Sequence, residues 1–225
     1  MAITINLNNE QEVMQYLDKT FGATGCNSIR GLVESRLQVR IAQNNKRVQK
    51  LPVPKRFFLG DMVMYPVVDL MQGNIMVSYN LIETVGLTES EIFEIALDHS
   101  LKKNIHMTSI IPDSKRIVGF HEITLSDIKE YLKEGNLIMT STGENNGASS
   151  VLLNKKFLKS VYEQTGKYFI IPSSIHEILL FQPPTGEDEI SYMKWLVREM
   201  NETNVEINER LSDSIYYFDG ALKEA

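Results

Sequence analysis

The sequence predicts an α+β protein in which antiparallel β-hairpins form a sheet that packs against helices. Three observations support this prediction. Short apolar stretches of strand length are separated by turn residues, and other segments carry apolar residues at helical spacing. The composition is that of a globular chain, with 43% hydrophobic and 23% charged residues in a length of 225. A chain of this length can bury a substantial core.

The N-terminal part predicts one helix followed by a β-hairpin. Apolar residues spaced by four predict a helix over 9–21. Apolar residues alternate with polar ones over 37–41, which is the period of a strand. The pair Asn44-Asn45 is typical of a turn, and apolar residues return over 48–53. We therefore predict a hairpin here, and we place it with the helix in a first domain of residues 1–58.

The remainder, residues 59–225, is expected to form the main α+β domain, and the boundary is soft because no low-complexity linker marks it. A capping box predicts a helix from Thr88, because Glu91 follows three residues later. GENNG at 143–147 predicts a hairpin turn. Further helices are expected over 126–133, with Ser126 or Thr124 as N-cap, and over 155–164 and 187–203. Strands are expected over 61–70, 75–77, 137–140, 151–153, 168–171 and 175–181.

Charge is unevenly distributed along the chain. Residues 28–56 contain eight basic side chains and one acidic side chain, a formal charge of +7, whereas the whole chain carries −6 and the remainder therefore −13. If residues 36–53 form a two-stranded ribbon, it presents a cationic surface to phosphates or to an acidic protein. The residues that we predict to bind a partner there are Arg36, Arg40, Lys46 and Arg47.

Several classes of protein and site are not expected. Cys26 is the single cysteine, so no intramolecular disulfide forms. The chain shows no apolar run of membrane-spanning length and no signal peptide at its start, so we expect a cytoplasmic protein without membrane contact. His121-Glu122 lacks the second histidine of a zinc motif, and no phosphate-binding glycine motif is present. We therefore predict neither a metal nor a cofactor.

The stretch Ile170–Glu177, which reads IIPSSIHE, holds the candidate catalytic residues. Ser174 and His176 lie two residues apart and would share one face of a strand, so Ser173 or Ser174 with His176 could serve as nucleophile and base. Glu177 would point to the opposite face, so no local triad is built. The alternative interpretation is that the serines cap a bend and that His176 is hydrogen-bonded within the sheet.

Several stretches resemble a family of the bacterial Firmicutes known only as a domain of unknown function. YFIIPSSIHEILLF is the most specific, and VSYNLIETVGLTESEIFEIALDHS, NNGASSVLL, LVREMN and LSDSIYYFD occur with it between Met62 and Asp219. The resemblance supports the fold and implies no activity. Within PSSIHE, LSDSxY and the Asn-Gly turn, the residues expected to be structural are Asn145, Asn146, Gly147, Pro172, Glu177, Asp213 and Tyr216.

The favoured function is a non-enzymatic binding or regulatory protein that acts on a macromolecular partner, expected to be a protein. A nucleic acid bound through residues 28–56 is an open alternative. A second alternative is a hydrolase that uses Ser173 or Ser174 with His176. A third is an accessory protein of a phage or mobile element that inhibits a host system.

Overall fold

The computed structural model describes residues 10–21, 26–70, 73–112, 118–143, 146–182 and 186–225. The fold is mixed α+β, as the sequence predicts. Nine helices lie within these residues: α1 (Glu10–Phe21), α2 (Ile29–Arg36), α3 (Lys46–Gln49), α4 (Tyr79–Val85), α5 (Glu89–Leu101), α6 (Ile128–Lys133), α7 (Gly147–Leu153), α8 (Lys155–Thr165) and α9 (Glu187–Asn204).

The strands form two sheets. The strands of the described residues are β1 (Leu37–Gln43), β2 (Arg56–Leu59), β3 (Met62–Leu70), β4 (Gly73–Met76), β5 (His106–Pro112), β6 (Val118–Ile123), β7 (Leu137–Ser141), β8 (Tyr168–Ile171), β9 (Glu177–Phe181), β10 (Tyr216–Phe218) and β11 (Leu222–Glu224). The smaller sheet has the order β1-β3-β2, with β4 also paired to β3. The larger sheet has the order β11-β10-β8-β9-β7-β5-β6, and all its neighbours are antiparallel.

The chain divides into two compact units. The first collects the described residues of Met1–Val39, Pro52–Lys55 and Tyr65–His99, and the second collects Arg40–Leu51, Arg56–Met64 and those of Ser100–Ala225. Strands β1 and β3 contribute residues to both units. The boundary predicted near residue 58 is a single point along the sequence, whereas each unit gathers segments from both sides of it.

The first unit contains the predicted capping box. The Thr88 backbone N–H donates to the Glu91 carboxylate at 2.7 Å, and the Glu91 N–H donates to the Thr88 hydroxyl at 3.3 Å. These two bonds satisfy backbone donors that the first turn of α5 cannot satisfy itself. The pKa of Glu91 is lowered first by the bond from the Thr88 backbone N–H and then by a bond from the Thr88 hydroxyl to the same carboxylate at 2.7 Å. The inner face of α5 is formed by Ile92, Phe93 and Ala96, and all three side chains are fully buried.

The second unit is a sheet covered on both faces. Tyr168 and Ile170 of β8 point into one core with α6, α7 and α8, including Leu132, Val151 and Val161. Phe169, the residue between them, packs on the other face with Phe181, Ile215 and Val197 of α9. Side chains alternate along a strand, so the unbroken apolar run of β8 fits a strand buried on both faces.

The predicted basic hairpin is wrong. The first strand forms, as β1, but the chain then turns into α3 instead of a return strand. The side chain of Asn45 accepts hydrogen bonds from the N–H groups of Arg47 and Val48, both at 3.0 Å. Asparagine is a good helix N-cap as well as a turn residue, and here the cap prevails. The neighbour of β1 in the sheet is β3.

The predicted hairpin turn at GENNG and the return strand over 151–153 are also wrong. Asn145 lies outside the described residues. Asn146 is the N-cap of α7, Gly147 is its first residue, and the helix runs to Leu153. The small residues Ala148, Ser149 and Ser150 are buried within the core, so packing overrides the strand preference of the short apolar run.

Other differences are local. The sequence analysis missed α2, β2, β5, β6, β10 and β11. The N-cap of α6 is Asp127, whose carboxylate accepts a hydrogen bond from the Thr124 hydroxyl at 2.6 Å, so neither Thr124 nor Ser126 caps this helix. The helices predicted over 155–164 and 187–203 are confirmed. The C-cap of α8 is Gly166, which has a φ of 74°.

Candidate functional site

The PSSIHE segment lies in a bend between β8 and β9. Two of its backbone carbonyl groups accept hydrogen bonds that hold the bend in place. His176 precedes β9 and is therefore not in the strand. Its carbonyl accepts a hydrogen bond from the Ser141 hydroxyl at 2.8 Å, and the Ile175 carbonyl accepts one from the Ala148 N–H at 3.2 Å. The Asn-Gly segment and the PSSIHE segment, which are far apart in sequence, are thus bonded to each other.

The candidate catalytic serine is used to shape this bend. The Ser174 hydroxyl, which is 9% exposed, accepts a hydrogen bond from the backbone N–H of His176 at 3.1 Å. This bond involves the backbone of His176, not its imidazole. Ser173 is half-buried, and Pro172 is buried beside it. The Ser174 hydroxyl is thus engaged within the bend.

The imidazole of His176 has an acidic neighbour that the sequence analysis missed. Its Nε2 lies 3.8 Å from Oε1 of Glu209, and the two side chains are 42% and 37% exposed. Glu177, the adjacent acid, begins β9. Because Glu209 lies 33 residues further along the chain, no local spacing could have revealed it.

The LSDSxY motif forms a polar cluster within the second unit. Ser212 and Tyr216 are both fully buried, and their hydroxyls are 2.9 Å apart. Each hydroxyl also donates to Oδ1 of Asp61, with the Tyr216 bond at 3.1 Å. The Gln43 side-chain amide joins Asp61 to Asp213, at 3.1 and 2.7 Å. Asp213 and Tyr216 therefore connect β1, the start of β3 and the C-terminal segment.

Two buried tyrosines have altered acidity. Burial raises the pKa of Tyr216, and the neighbouring Asp61 carboxylate raises it further, while the Ser212 bond opposes this. Burial alone raises the pKa of Tyr168, whose hydroxyl donates to the Leu158 carbonyl at 3.0 Å. Both hydroxyls are therefore held protonated and act as hydrogen-bond donors in the core.

The predicted basic binding residues do not form one ribbon. Arg36 ends α2 in the first unit, whereas Arg40, Lys46 and Arg47 belong to the second. Arg40 is half-buried, and its Nη2 donates to the Asn208 carbonyl at 2.6 Å. Lys46 and Arg47 are exposed on α3. Of the four predicted residues, these two are exposed, and Arg36 and Arg40 are half-buried.

The helix α9 presents a second apolar face that the sequence analysis did not separate from the first. Its inner face packs Ile190, Met193 and Val197 against the sheet. Its outer face exposes Tyr192 by 60%, Trp195 by 54%, Leu196 by 39% and Met200 by 49%. The Tyr192 and Trp195 rings are 5.8 Å apart. The sequence does contain a sign of this second face. The seven apolar positions are spread around more of the helix circumference than one buried face can cover.

Neither a metal-binding cluster nor a membrane-spanning helix is found among the residues that the structure describes. These residues contain no group of three or more His, Cys, Asp or Glu side chains arranged to hold a metal ion. None of the helices described is both long and apolar enough to cross a bilayer.

The fold and site together define an α+β protein. Its larger sheet is covered on both faces, and one of its helices exposes aromatic side chains on the outer side. The chain belongs to a family of unknown function (DUF5688), whose model matches residues 28–220. This match confirms the expectation that most of the chain belongs to a domain of unknown function. No curated protein and no solved structure matches the chain.

Proposed function

We propose that this chain is a non-enzymatic protein of the bacterial cytoplasm, from a member of the Firmicutes, that binds a protein partner through the outer face of α9. We call this surface, made of Tyr192, Trp195, Leu196 and Met200, the aromatic face. The observation that carries the proposal is that these four large apolar side chains are exposed side by side. Adjacent exposed apolar side chains often mark interaction sites.

The residue types support a protein partner. Tyrosine, tryptophan and methionine are enriched in protein–protein interfaces, and the first two are frequent hot spots. Residues at i, i+3, i+4 and i+8 project from neighbouring turns of a helix, so a partner can contact all four at once. The opposite side of α9 is fixed to the sheet by Ile190, Met193 and Val197, so the aromatic face is held on a packed element.

Affinity capture from a lysate of the native host tests this proposal. We expect Tyr192→Ser combined with Trp195→Ser to remove a partner that the wild-type chain captures. Phe120→Ser is the matched control, because Phe120 is a large aromatic residue, 63% exposed, in the same unit. Equal capture by the wild type, the double variant and the control would contradict the proposal. Unchanged thermal unfolding of each variant shows that the fold is intact.

The basic residues offer a second surface for the same function. Lys46 and Arg47 are exposed on α3, next to the exposed Lys50. A partner with an acidic surface, or a nucleic acid, would meet these charges. Lys46→Glu with Arg47→Glu in the same capture experiment separates this surface from the aromatic face. Arg40 is left unchanged in this variant because its guanidinium bonds the Asn208 carbonyl.

A hydrolase is the second candidate function, and the contact between His176 and Glu209 favours it. The Ser174 hydroxyl, however, bonds the backbone of His176 rather than its ring. Covalent labelling by a fluorophosphonate, which reacts with activated serines, tests this function. Labelling that is lost in Ser173→Ala or Ser174→Ala would support a hydrolase and would oppose a purely binding role.

A further inference from the structure

We propose that the aromatic face binds a basic amphipathic helix of the partner, in which lysine or arginine residues flank an apolar stripe. This inference rests on the proposed function and adds the chemical class of the bound segment. It follows from the charges that surround the aromatic face and from the geometry of α9.

The acidic residues of α9 lie on the same side as the aromatic residues. Successive residues of an α-helix are rotated by about 100°. Tyr192, Trp195 and Glu199 therefore project in similar directions, opposite to the buried Val197. Asp188 lies one turn before Tyr192, and Glu202 lies two turns after Trp195, and both acids are exposed. Carboxylates thus lie next to the two aromatic side chains along the length of the helix.

The two basic residues of α9 are outnumbered by acids on the outer face. Lys194 is half-buried, and its ammonium group bonds the Ala225 carbonyl. Arg198 is exposed at the edge of the aromatic face, three residues after Trp195 and four before Glu202, so this face carries one base against the three acids. The outer face therefore combines negative charge with apolar area. An interface is favourable when opposite charges surround an apolar contact, so the complementary ligand is cationic and apolar.

A second copy of the chain is a poor occupant of this surface. In a symmetric dimer the same patch faces itself. Two antiparallel copies of α9 that meet at Trp195 would bring Asp188 of each copy near Glu202 of the other. Like charges placed opposite each other in an interface are unfavourable. The same negative charge disfavours the anionic surface of a membrane and the phosphates of a nucleic acid.

An amphipathic peptide of the length of α9, 18 residues, tests the inference directly. The probe is a synthetic helix of leucine and lysine with leucine at helical spacing, and the comparison peptide has glutamate in place of each lysine. Trp195 is the only tryptophan of the chain, so its fluorescence reports on the aromatic face alone. We expect the lysine peptide to shift the Trp195 emission to shorter wavelength in a saturable way. Added salt should weaken the binding.

Two variants of the chain define the specificity. Glu199→Lys with Glu202→Lys should weaken binding of the lysine peptide by about tenfold or more, equivalent to about 1.4 kcal/mol, and should strengthen binding of the glutamate peptide. Leu196→Ser with Met200→Ser keeps the acids and should also weaken binding of the lysine peptide. A lysine peptide with the same composition in scrambled order measures attraction by charge alone, and it should bind more weakly.

Three positive results and one negative result would overturn the inference. The first is equal binding of the lysine and glutamate peptides, and the second is binding that persists in Leu196→Ser with Met200→Ser. The third is an emission shift that depends on protein concentration without peptide, which would indicate a second copy as the occupant. If neither peptide binds while Tyr192→Ser with Trp195→Ser still abolishes capture of the native partner, the inference fails and the proposed function stands. If capture is unaffected, the proposed function itself fails.

Discussion

At Gly147 the backbone of α7 passes so close to the PSSIHE bend that no side chain fits between them. A Cβ atom at this position would stand 2.3 Å from the His176 carbonyl oxygen and 2.9 Å from the Thr142 nitrogen. Both are backbone atoms, so neither can move away as a flexible side chain would. The sequence analysis singled out Gly147 as structural but predicted a hairpin turn. The need for glycine is a matter of space between two distant segments, and local turn preferences do not report it.

Gly147→Ala should therefore destabilise the protein. Overpacking of a well-packed site costs about 1–3 kcal/mol, and we expect a loss at the upper end of that range because backbone atoms oppose the new methyl group. Gly186→Ala is the control, because its Cβ meets nothing within 4 Å. Urea denaturation of both variants measures the difference. Equal stabilities of the two variants would contradict the close approach of α7 and the bend.

At the scale of elements, patterns that lie within one element were predicted well. The capping box of α5 and the spacing of α8 and α9 each depend on neighbours three to four residues away. The short apolar run of α7 was predicted as a strand because three residues define no period. Strands β5 and β6 were missed for a related reason, since residues such as His106, Thr108 and His121 weaken the apolar alternation of this pair.

The helix α7 is also anchored to β1 by a side chain. The Ser149 hydroxyl, which is fully buried, accepts a hydrogen bond from the backbone N–H of Ile41 at 2.7 Å. A buried N–H group that loses its acceptor costs about 1–3 kcal/mol. We expect Ser149→Ala to lower the free energy of unfolding by this amount.

Ser160→Ala, on the half-buried side of α8, is the control for loss of a helix hydroxyl. Thermal and urea unfolding measure both changes. If Ser149→Ala is as stable as Ser160→Ala, the bond to β1 does not contribute to the fold.

At the scale of the whole molecule, the two units each join segments that are distant in sequence. Strands β1 and β3 pass from one unit to the other, so a reading along the chain finds no linker where a boundary could be placed. The general class of the fold was predictable because it depends on the kinds of element present. The candidate surface was less predictable. The sequence shows which residues of α9 are apolar, but it does not show which of them the sheet covers.

The buried tyrosines predict how the stability of the protein depends on alkaline pH. Unfolded tyrosine ionises near pH 10, while burial keeps Tyr168 and Tyr216 protonated in the folded state. Above about pH 10 the folded state therefore binds more protons than the unfolded state, and the free energy of unfolding falls by about 1.4 kcal/mol per pH unit for each tyrosine. Below that pH their contribution is fully present.

Tyr216→Phe should remove about half of this dependence, measured by urea denaturation between about pH 10 and 12. Tyr79→Phe serves as the control because the Tyr79 side chain is 50% exposed. An alkaline dependence that is the same in the wild type and in Tyr216→Phe would show that Tyr216 ionises as readily in the folded state as in the unfolded chain.

The central claim, that the aromatic face binds a protein partner, is tested most directly by photocrosslinking. A photoreactive phenylalanine analogue is placed at Tyr192, and in a separate sample at Phe120, where the side chain is similarly exposed. We predict that irradiation in the native host joins the chain to one protein from position 192 and not from position 120. Crosslinks that are absent from position 192, or that are the same from both positions, would contradict the claim.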